Sequence, residues 1–129
     1  MLARYQMIRG KRPPESPLPD GLRVDIRKHT RHVLAPAKED VERYLAAPTE
    51  AGFERFKAAY LTLIEARFKA DPAPFAALAA EAVRRDVYLG CSCPTAKVPD
   101  VRRCHTTLAL EFMQSRFPEL TVCMPSASR

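Results

Sequence analysis

Six apolar side chains recur at helical spacing in the middle of the chain. Counted from the first, they stand at offsets of 0, 3, 7, 10, 11 and 15: Phe53, Phe56, Tyr60, Leu63, Ile64 and Phe68. This stripe predicts an amphipathic helix that begins after Thr49 and buries one face against the rest of the fold. Because the aromatic side chains follow the spacing of that face, we interpret them as core residues and not as a stacking platform for a ligand.

Three further segments show helical spacing: residues 37–46, a segment capped by Asp71, and residues 104–117. Pro72 suits the first position of the segment after Asp71, and Pro118 stops the last helix. The buried side of the helix after Asp71 is predicted to consist of Phe75, Leu78, Ala79, Ala82 and Val83. In the last helix, the inward side chains are predicted to be Leu108, Phe112 and Met113.

Four short segments read as strands: residues 3–8, 22–27, 86–91 and, closing the chain, 119–124. The first two are separated by residues 10–21, a loop that holds four of the twelve prolines. Strands separated by helices are typical of a mostly parallel sheet with helices on its faces. We therefore predict the α/β class: a single compact three-layer domain with a small, mostly parallel sheet flanked by helices.

The length of 129 residues fits a single domain spanning residues 1–129, with residues 125–129 as a frayed tail. No apolar run approaches the roughly 18 residues that cross a membrane, so we predict no membrane partner. The first ten residues lack the continuous apolar segment of a signal peptide. These features predict a cytoplasmic protein, and in that reducing compartment a cysteine cluster favours metal binding or thiol chemistry over disulfides.

The net charge of +6 is unevenly distributed along the chain. Residues 1–32 hold eight basic and three acidic residues, and residues 84–104 hold five and two. Such asymmetry favours an anionic partner, either a small molecule such as a nucleotide or a nucleic acid. Ordinary solvated surface charge is the alternative. The basic N-terminal third also supports a rival function, that of a non-catalytic nucleic-acid-binding module.

The segment LGCSCPTAKVPDVRRCH, residues 89–105, contains three of the four cysteines. In α/β folds the loops that follow the strands lie at the carboxyl edge of the sheet, where ligands bind. Cys91 and Cys93 are predicted at the end of a strand, and Cys104 and His105 at the start of the next helix. The four side chains are therefore predicted to converge at one site.

Three interpretations of this convergence remain open. Three thiolates and an imidazole are a common zinc ligand set, although this spacing is not that of a standard zinc finger. Alternatively, Cys104 is a reactive thiol activated by the helix N-terminus, with His105 beside it. In the third interpretation, Cys91 is a core residue and Cys93 and Cys104 are loop residues without a chemical role.

Several polar residues are candidates for the rest of the site. Unpaired amides at a helix N-terminus attract anions, and we predict an anion-binding group made of Arg102, Arg103 and Thr106. At the end of another strand stand Asp25, a candidate general base or partner for arginine, and Arg27. His29 and His32 are predicted in an exposed basic loop, and Cys123 is predicted to be a core residue of the closing strand.

The motifs VDIR (Val24–Arg27), Cys-x-Cys and Cys-His resemble those of small bacterial α/β proteins of unknown function. The likeness extends over residues 22–123 and implies a compact three-layer fold but no reaction. It also implies that the following residues gather at one end of the sheet: Asp25, Arg27, Cys91, Cys93, Cys104 and His105. Thr106 replaces an arginine frequent in that family, and many members carry glutamate at the position of Cys93. A glutamate there is still a potential metal ligand, whereas it weakens a thiol role.

Overall fold

Three parallel strands form the sheet, and the strand that comes last in sequence lies in its centre. The computed structural model describes residues 1–125. The strands are β1 (Leu2–Gln6), β2 (Leu22–Asp25) and β3 (Val87–Cys91), in the order β1-β3-β2. The predicted α/β class with a small parallel sheet flanked by helices is confirmed. Of the predicted tail, residues 126–129 lie outside the described residues.

Burial explains why β3 takes the central position. Val87 and Leu89 are fully buried on one face of the strand, and hydrogen-bonded neighbours flank it on both sides. Leu89 pairs with Arg4 of β1 and with Val24 of β2. Since all three strands run in the same direction, their carboxyl ends lie along one edge of the sheet.

Four helices complete the fold: α1 (Lys38–Ala46), α2 (Glu50–Ala70), α3 (Ala73–Arg84) and α4 (His105–Arg116). A short 3-10 turn, residues 101–103, precedes α4. Helix α4 packs against β1, β3 and α2, which explains why nearly its whole first two turns are buried. None of the helices within the described range has the length and apolar character required to cross a membrane.

The predicted apolar stripe of α2 faces the core. Phe53, Phe56, Tyr60 and Ile64 are buried, and the helix begins where the Thr49 hydroxyl accepts a hydrogen bond from the Gly52 amide at 3.0 Å. The Tyr60 hydroxyl, though fully enclosed, donates to the Leu34 carbonyl at 2.7 Å. This bond satisfies the one polar atom that the stripe carries inward.

The predicted closing strand over residues 119–124 is wrong. Only an isolated bridge forms there, between Leu2 and Val122. The Leu120 amide donates to the Phe117 carbonyl, so a turn takes up the start of the segment, and Pro125 lacks an amide that could extend a ladder.

Two core assignments fail as well. Cys123 is exposed, because the segment after Leu120 runs along the outer edge of β1 instead of entering the core. Val83 is 70% exposed, because α3 buries only a narrow stripe, and the position after Ala82 lies about 100° around the helix axis. The other four predicted side chains of α3 are buried: Phe75, Leu78, Ala79 and Ala82.

Arg12 of the proline-rich loop and Arg23 of β2 donate to main-chain carbonyls. Arg12 donates to the carbonyls of Gln6 at 2.6 Å and Ser16 at 3.0 Å, and Arg23 donates to Pro19 at 2.9 Å. These arginines therefore help to hold the connection between β1 and β2. Contact of this basic segment with nucleic acid stays a prediction.

Two identical substitutions test the assignment of the core. Val87→Ala removes buried methyl groups from β3, so we expect the free energy of unfolding to fall by about 2 kcal/mol. Val83→Ala makes the same change at an exposed position and should alter it by less than about 0.5 kcal/mol. Urea unfolding followed by circular dichroism measures both values, and equal losses would contradict the packing described here.

Candidate metal centre

The carboxyl end of β3 and the start of α4 bring three cysteines together. Cys91 is the last residue of β3, Cys93 follows in the loop, and Cys104 is the N-cap residue of α4. Their three sulfur atoms lie within 4.8 Å of one another. The predicted convergence is confirmed, and its cause is the parallel topology, which places a strand end beside the beginning of the next helix.

His105 presents one ring nitrogen to this cluster. Its Nδ1 atom lies 3.9 Å from the Cys91 sulfur and 3.8 Å from the Cys104 sulfur. Its Nε2 atom lies 2.8 Å from the Ile26 carbonyl oxygen, which can only accept, so Nε2 carries the proton. In the neutral ring Nδ1 therefore offers its lone pair toward the sulfurs. The buried imidazole and the Tyr60 ring form a T-shaped contact, with centroids 5.7 Å apart.

Cys104 is held by a chain of hydrogen bonds that reaches back to β1. The Thr106 hydroxyl donates to the Cys104 sulfur at 3.1 Å and accepts from Arg4 Nε at 2.8 Å. The same guanidinium donates through Nη2 to the Cys93 carbonyl at 2.6 Å. Arg4 thus positions both the loop cysteine and the helix cysteine, although it touches neither sulfur.

Sequence analysis missed Arg4. A signal for it exists. Arg4 and Gln6 are two residues apart in a predicted strand, so their side chains share one face, and the carboxyl ends of parallel strands meet at one edge of the sheet. Gln6 also serves the cysteine loop, donating to the carbonyls of Ser92 at 3.2 Å and Pro94 at 2.8 Å.

The pKa values of Cys104 and Cys93 are shifted in opposite directions. The neighbouring thiols of Cys91 and Cys93, together with the Thr106 hydroxyl, lower the pKa of Cys104 well below its ordinary value. Contact with the Cys104 and Cys91 sulfurs, reinforced by burial, raises the pKa of Cys93. Of this pair, Cys104 is therefore the thiol whose ionised form the surrounding hydrogen bonds favour.

A cavity of about 320 Å³ opens onto the cluster. Cys91 and Cys104 are buried at its closed end, with exposures of 9% and 3%, while Cys93 is less deeply placed. Because all three cysteines are among the residues that line this cavity, an ion has a route to them from outside.

Asp25 and Arg27 lie together at the end of β2. Asp25 accepts from Arg27 Nε at 3.0 Å and Nη2 at 2.8 Å, and this pairing lowers the pKa of the carboxyl. Of the two roles considered for Asp25, the geometry shows the partner that fixes an arginine. Arg27 lines the cavity, as does the exposed His29, whereas His32 accepts from the Leu34 amide at 3.0 Å in the loop beyond.

The three predicted anion-binding residues do not form one group, because their side chains lie in different surroundings. Arg103 lines the cavity, where its guanidinium lies 5.1 Å from the centre of the Phe53 ring. Arg102 is bound to Asp100 on the surface, with Nη2 at 2.8 Å from the carboxylate. Thr106 is fully buried, and its hydroxyl serves Cys104 and Arg4 as described. Of the three, only Arg103 faces the cavity.

The distances suit metal coordination. In a tetrahedral zinc site, bond lengths of about 2.3 Å to sulfur and 2.0 Å to nitrogen place neighbouring ligand atoms roughly 3.6–3.8 Å apart. The sulfur to Nδ1 distances of 3.8 and 3.9 Å lie close to that range, and the sulfurs need to approach by at most about 1 Å. The arrangement can also support nucleophilic chemistry by the Cys104 thiolate.

Comparison of the chain with protein families, curated proteins and solved structures finds no match. The resemblance to the small bacterial α/β family therefore stays a prediction that depends on the VDIR, Cys-x-Cys and Cys-His motifs.

Asp25→Asn tests the pairing at the mouth of the cavity. Because Arg27 holds the folded-state pKa of Asp25 below 3.8, the pair stabilises the fold above that pH, and the contribution is lost as pH falls through the folded-state value. At pH 7 we expect the variant to lose roughly 1 kcal/mol of unfolding free energy, and at pH 2 a smaller amount.

Urea unfolding of both proteins across this pH range supplies the measurement. Asp20→Asn, in an exposed part of the proline-rich loop, is the control for loss of one carboxylate. A difference from the wild type that is the same at pH 2 and pH 7 would contradict the ion-pair origin.

Proposed function

We propose that this chain is a zinc protein in which Cys91, Cys93, Cys104 and His105 bind one ion at the closed end of the cavity. The observation that carries the proposal is the grouping of three sulfurs within 4.8 Å, with His105 Nδ1 at 3.9 Å from the Cys91 sulfur and 3.8 Å from the Cys104 sulfur. Such a set satisfies the preference of zinc for thiolate and imidazole ligands in tetrahedral geometry.

Electrostatics favours an ion over three bare thiols. Hydrogen bonds to Cys104 and Cys91, then burial and charge repulsion, raise the pKa of Cys93, so the three thiols oppose their joint ionisation. A divalent cation removes this conflict because it stabilises every thiolate that contacts it. Three thiols that cannot all ionise on their own can therefore do so as ligands of a divalent cation.

Burial favours coordination over nucleophilic catalysis. Reactive cysteines lie in partly exposed surroundings, because a substrate has to approach the sulfur. Cys104, whose pKa is the one lowered by its hydrogen-bond partners, is only 3% exposed. A bound ion needs no such approach, since the ligands enclose it.

The groups around the ligands support the same conclusion. The Nε2–H of His105 donates to the Ile26 carbonyl, which is the outer contact that commonly orients a metal-binding histidine. Thr106 orients the Cys104 sulfur in a similar way. Both ligands from α4 are therefore held in place before an ion arrives.

Metal analysis tests this function. Protein purified under reducing conditions without chelator should contain about one zinc per chain, and Cys104→Ser and Cys93→Ser should each retain less than about a tenth of it. Cys123→Ser is the matched control, because Cys123 is exposed and lies outside the cluster. It should keep its full zinc content.

A thiol reagent provides the second readout. In the zinc-loaded protein Cys123 should react rapidly, and the three cluster cysteines only after a chelator has been added. If the folded wild type takes up no zinc when zinc is supplied, and all four thiols react without chelator, the proposal is wrong.

The outer support of the site generates a separate prediction. Arg4→Met removes the bonds to Thr106 and to the Cys93 carbonyl, so the ligands lose part of their orientation. Transfer of zinc to a competing chelator should become about tenfold faster. Arg9→Met, at an exposed position of the same segment, should leave the transfer rate unchanged. Equal rates for the two variants would show that Arg4 has no influence on the ion.

A further inference from the structure

The lining of the cavity beside the cysteines combines cationic and apolar side chains. Three side chains with permanent positive charge contribute to the lining, namely Arg27, Lys28 and Arg103, and within the described part of the chain the lining includes no carboxylate. Most of the remaining surface is apolar, with contributions from Val41, Leu45, Phe56 and Val98. A volume of about 320 Å³ is at the lower end of the range for small-molecule sites.

The acidic partners of these cations stand outside the cavity. Glu42, 52% exposed, lies 3.7 Å from Lys28, and Glu50, 66% exposed, pairs with Arg103. Exposed pairs of this kind are weak, so a ligand can replace or share them. Asp25 engages Nε and Nη2 of Arg27 and leaves Nη1 for another acceptor.

Two of the cations are held in defined positions. The bidentate pair with Asp25 fixes the plane of the Arg27 guanidinium, and the Phe53 ring, 5.1 Å from Arg103, fixes the other. A fixed guanidinium binds a carboxylate, phosphate or sulfonate with little loss of side-chain entropy. The mouth is therefore suited to an anionic group in a specific place.

Helix α1 and its neighbours supply the complementary apolar wall. Val41 and Leu45, four residues apart, lie one helical turn from each other and face the cavity with Tyr44 between them. Tyr44 stacks on Phe56, with ring centroids 5.7 Å apart. This wall has few groups that could satisfy a polar ligand, so it fits hydrocarbon or an aromatic ring.

We infer that the cavity binds a small amphipathic organic anion, with its charged head at Arg27, Lys28 and Arg103 and its apolar body against Val41, Leu45 and Phe56. This orientation rests on the proposed function, because a zinc ion with three thiolates and a neutral imidazole has a net charge of −1. That charge repels the anionic head from the closed end, and the cations attract it to the mouth.

Three probes separate the parts of this ligand. 8-Anilinonaphthalene-1-sulfonate has an aromatic body and an anionic head, N-phenyl-1-naphthylamine has the same body without the head, and inorganic sulfate has only the charge. Each is titrated against zinc-loaded protein, the first two by fluorescence and sulfate by competition. We expect saturable binding of the sulfonate at one site, with at least about tenfold weaker binding of the neutral amine and of sulfate.

Neighbouring arginines provide the matched variants. Arg103→Gln should weaken binding of the sulfonate about tenfold, whereas Arg102→Gln, next to it but outside the cavity lining, should have no effect. Lys28→Gln is the second variant at the mouth and avoids loss of the contact with Phe53. Leu45→Ser should weaken both aromatic probes, whereas the two mouth variants should change the affinity of the amine less than twofold.

The outcomes distinguish this inference from the zinc proposal, because zinc content and circular dichroism are measured on every sample. Zinc-loaded protein that does not bind the sulfonate, or binds the neutral amine equally well, overturns the ligand class and leaves the zinc site intact. Equal effects of Arg102→Gln and Arg103→Gln also overturn it. Folded protein that binds the sulfonate in an Arg103-dependent manner but takes up no zinc refutes the proposed function alone.

Discussion

The hydrogen bond from His105 Nε2 to the Ile26 carbonyl, 2.8 Å long, joins the two halves of the site. It links the start of α4 to the residue after β2, across the end of the central strand β3. The strand order β1-β3-β2 makes this contact possible, because it places the carboxyl ends of all three strands along one edge. Once Nε2 is committed to a carbonyl, Nδ1 has a fixed direction, and that direction is toward Cys91 and Cys104. The geometry of the candidate ligands thus follows from a main-chain atom of a neighbouring strand.

Charge balance explains why Arg4 is linked to the cysteine cluster through Thr106. A thiolate buried in a protein needs hydrogen-bond donors, and Cys104 receives one from Thr106. Thr106 in turn accepts from Arg4, whose positive charge lies one hydroxyl away from the sulfur. In the proposed zinc site, three thiolates and a neutral imidazole would give a net charge of −1, which this guanidinium would offset. The outer contact would therefore suit both the charge and the ligand geometry of that site.

The parts of the fold that depend on local patterns could be predicted from the sequence. Periodicity predicts the α2 stripe and the location of β3 along the sequence. The topology of parallel sheets predicts that Cys91, Cys93 and Cys104 meet. The closing strand could not be predicted correctly, because residues 119–124 alternate like a strand, while the turn at Leu120 and the edge position are set by tertiary packing. Arg4 was missed for a related reason: the local pattern places Arg4 and Gln6 on one face of a strand, but their contacts with the cysteine loop depend on the register between β1 and β3.

In the VDIR segment, two adjacent residues hold two different parts of the site, one through its side chain and the other through its main chain. The side chain of Asp25 holds Arg27 at the mouth of the cavity, while the carbonyl of Ile26 holds His105 at its closed end. Substitution of Asp25 can therefore disturb the mouth and leave the histidine in place, because it does not remove the main-chain carbonyl of Ile26. Since Ile26 is itself fully buried, the strand cannot shift to move one contact without the other. Packing of one apolar side chain consequently holds these two contacts at a fixed separation.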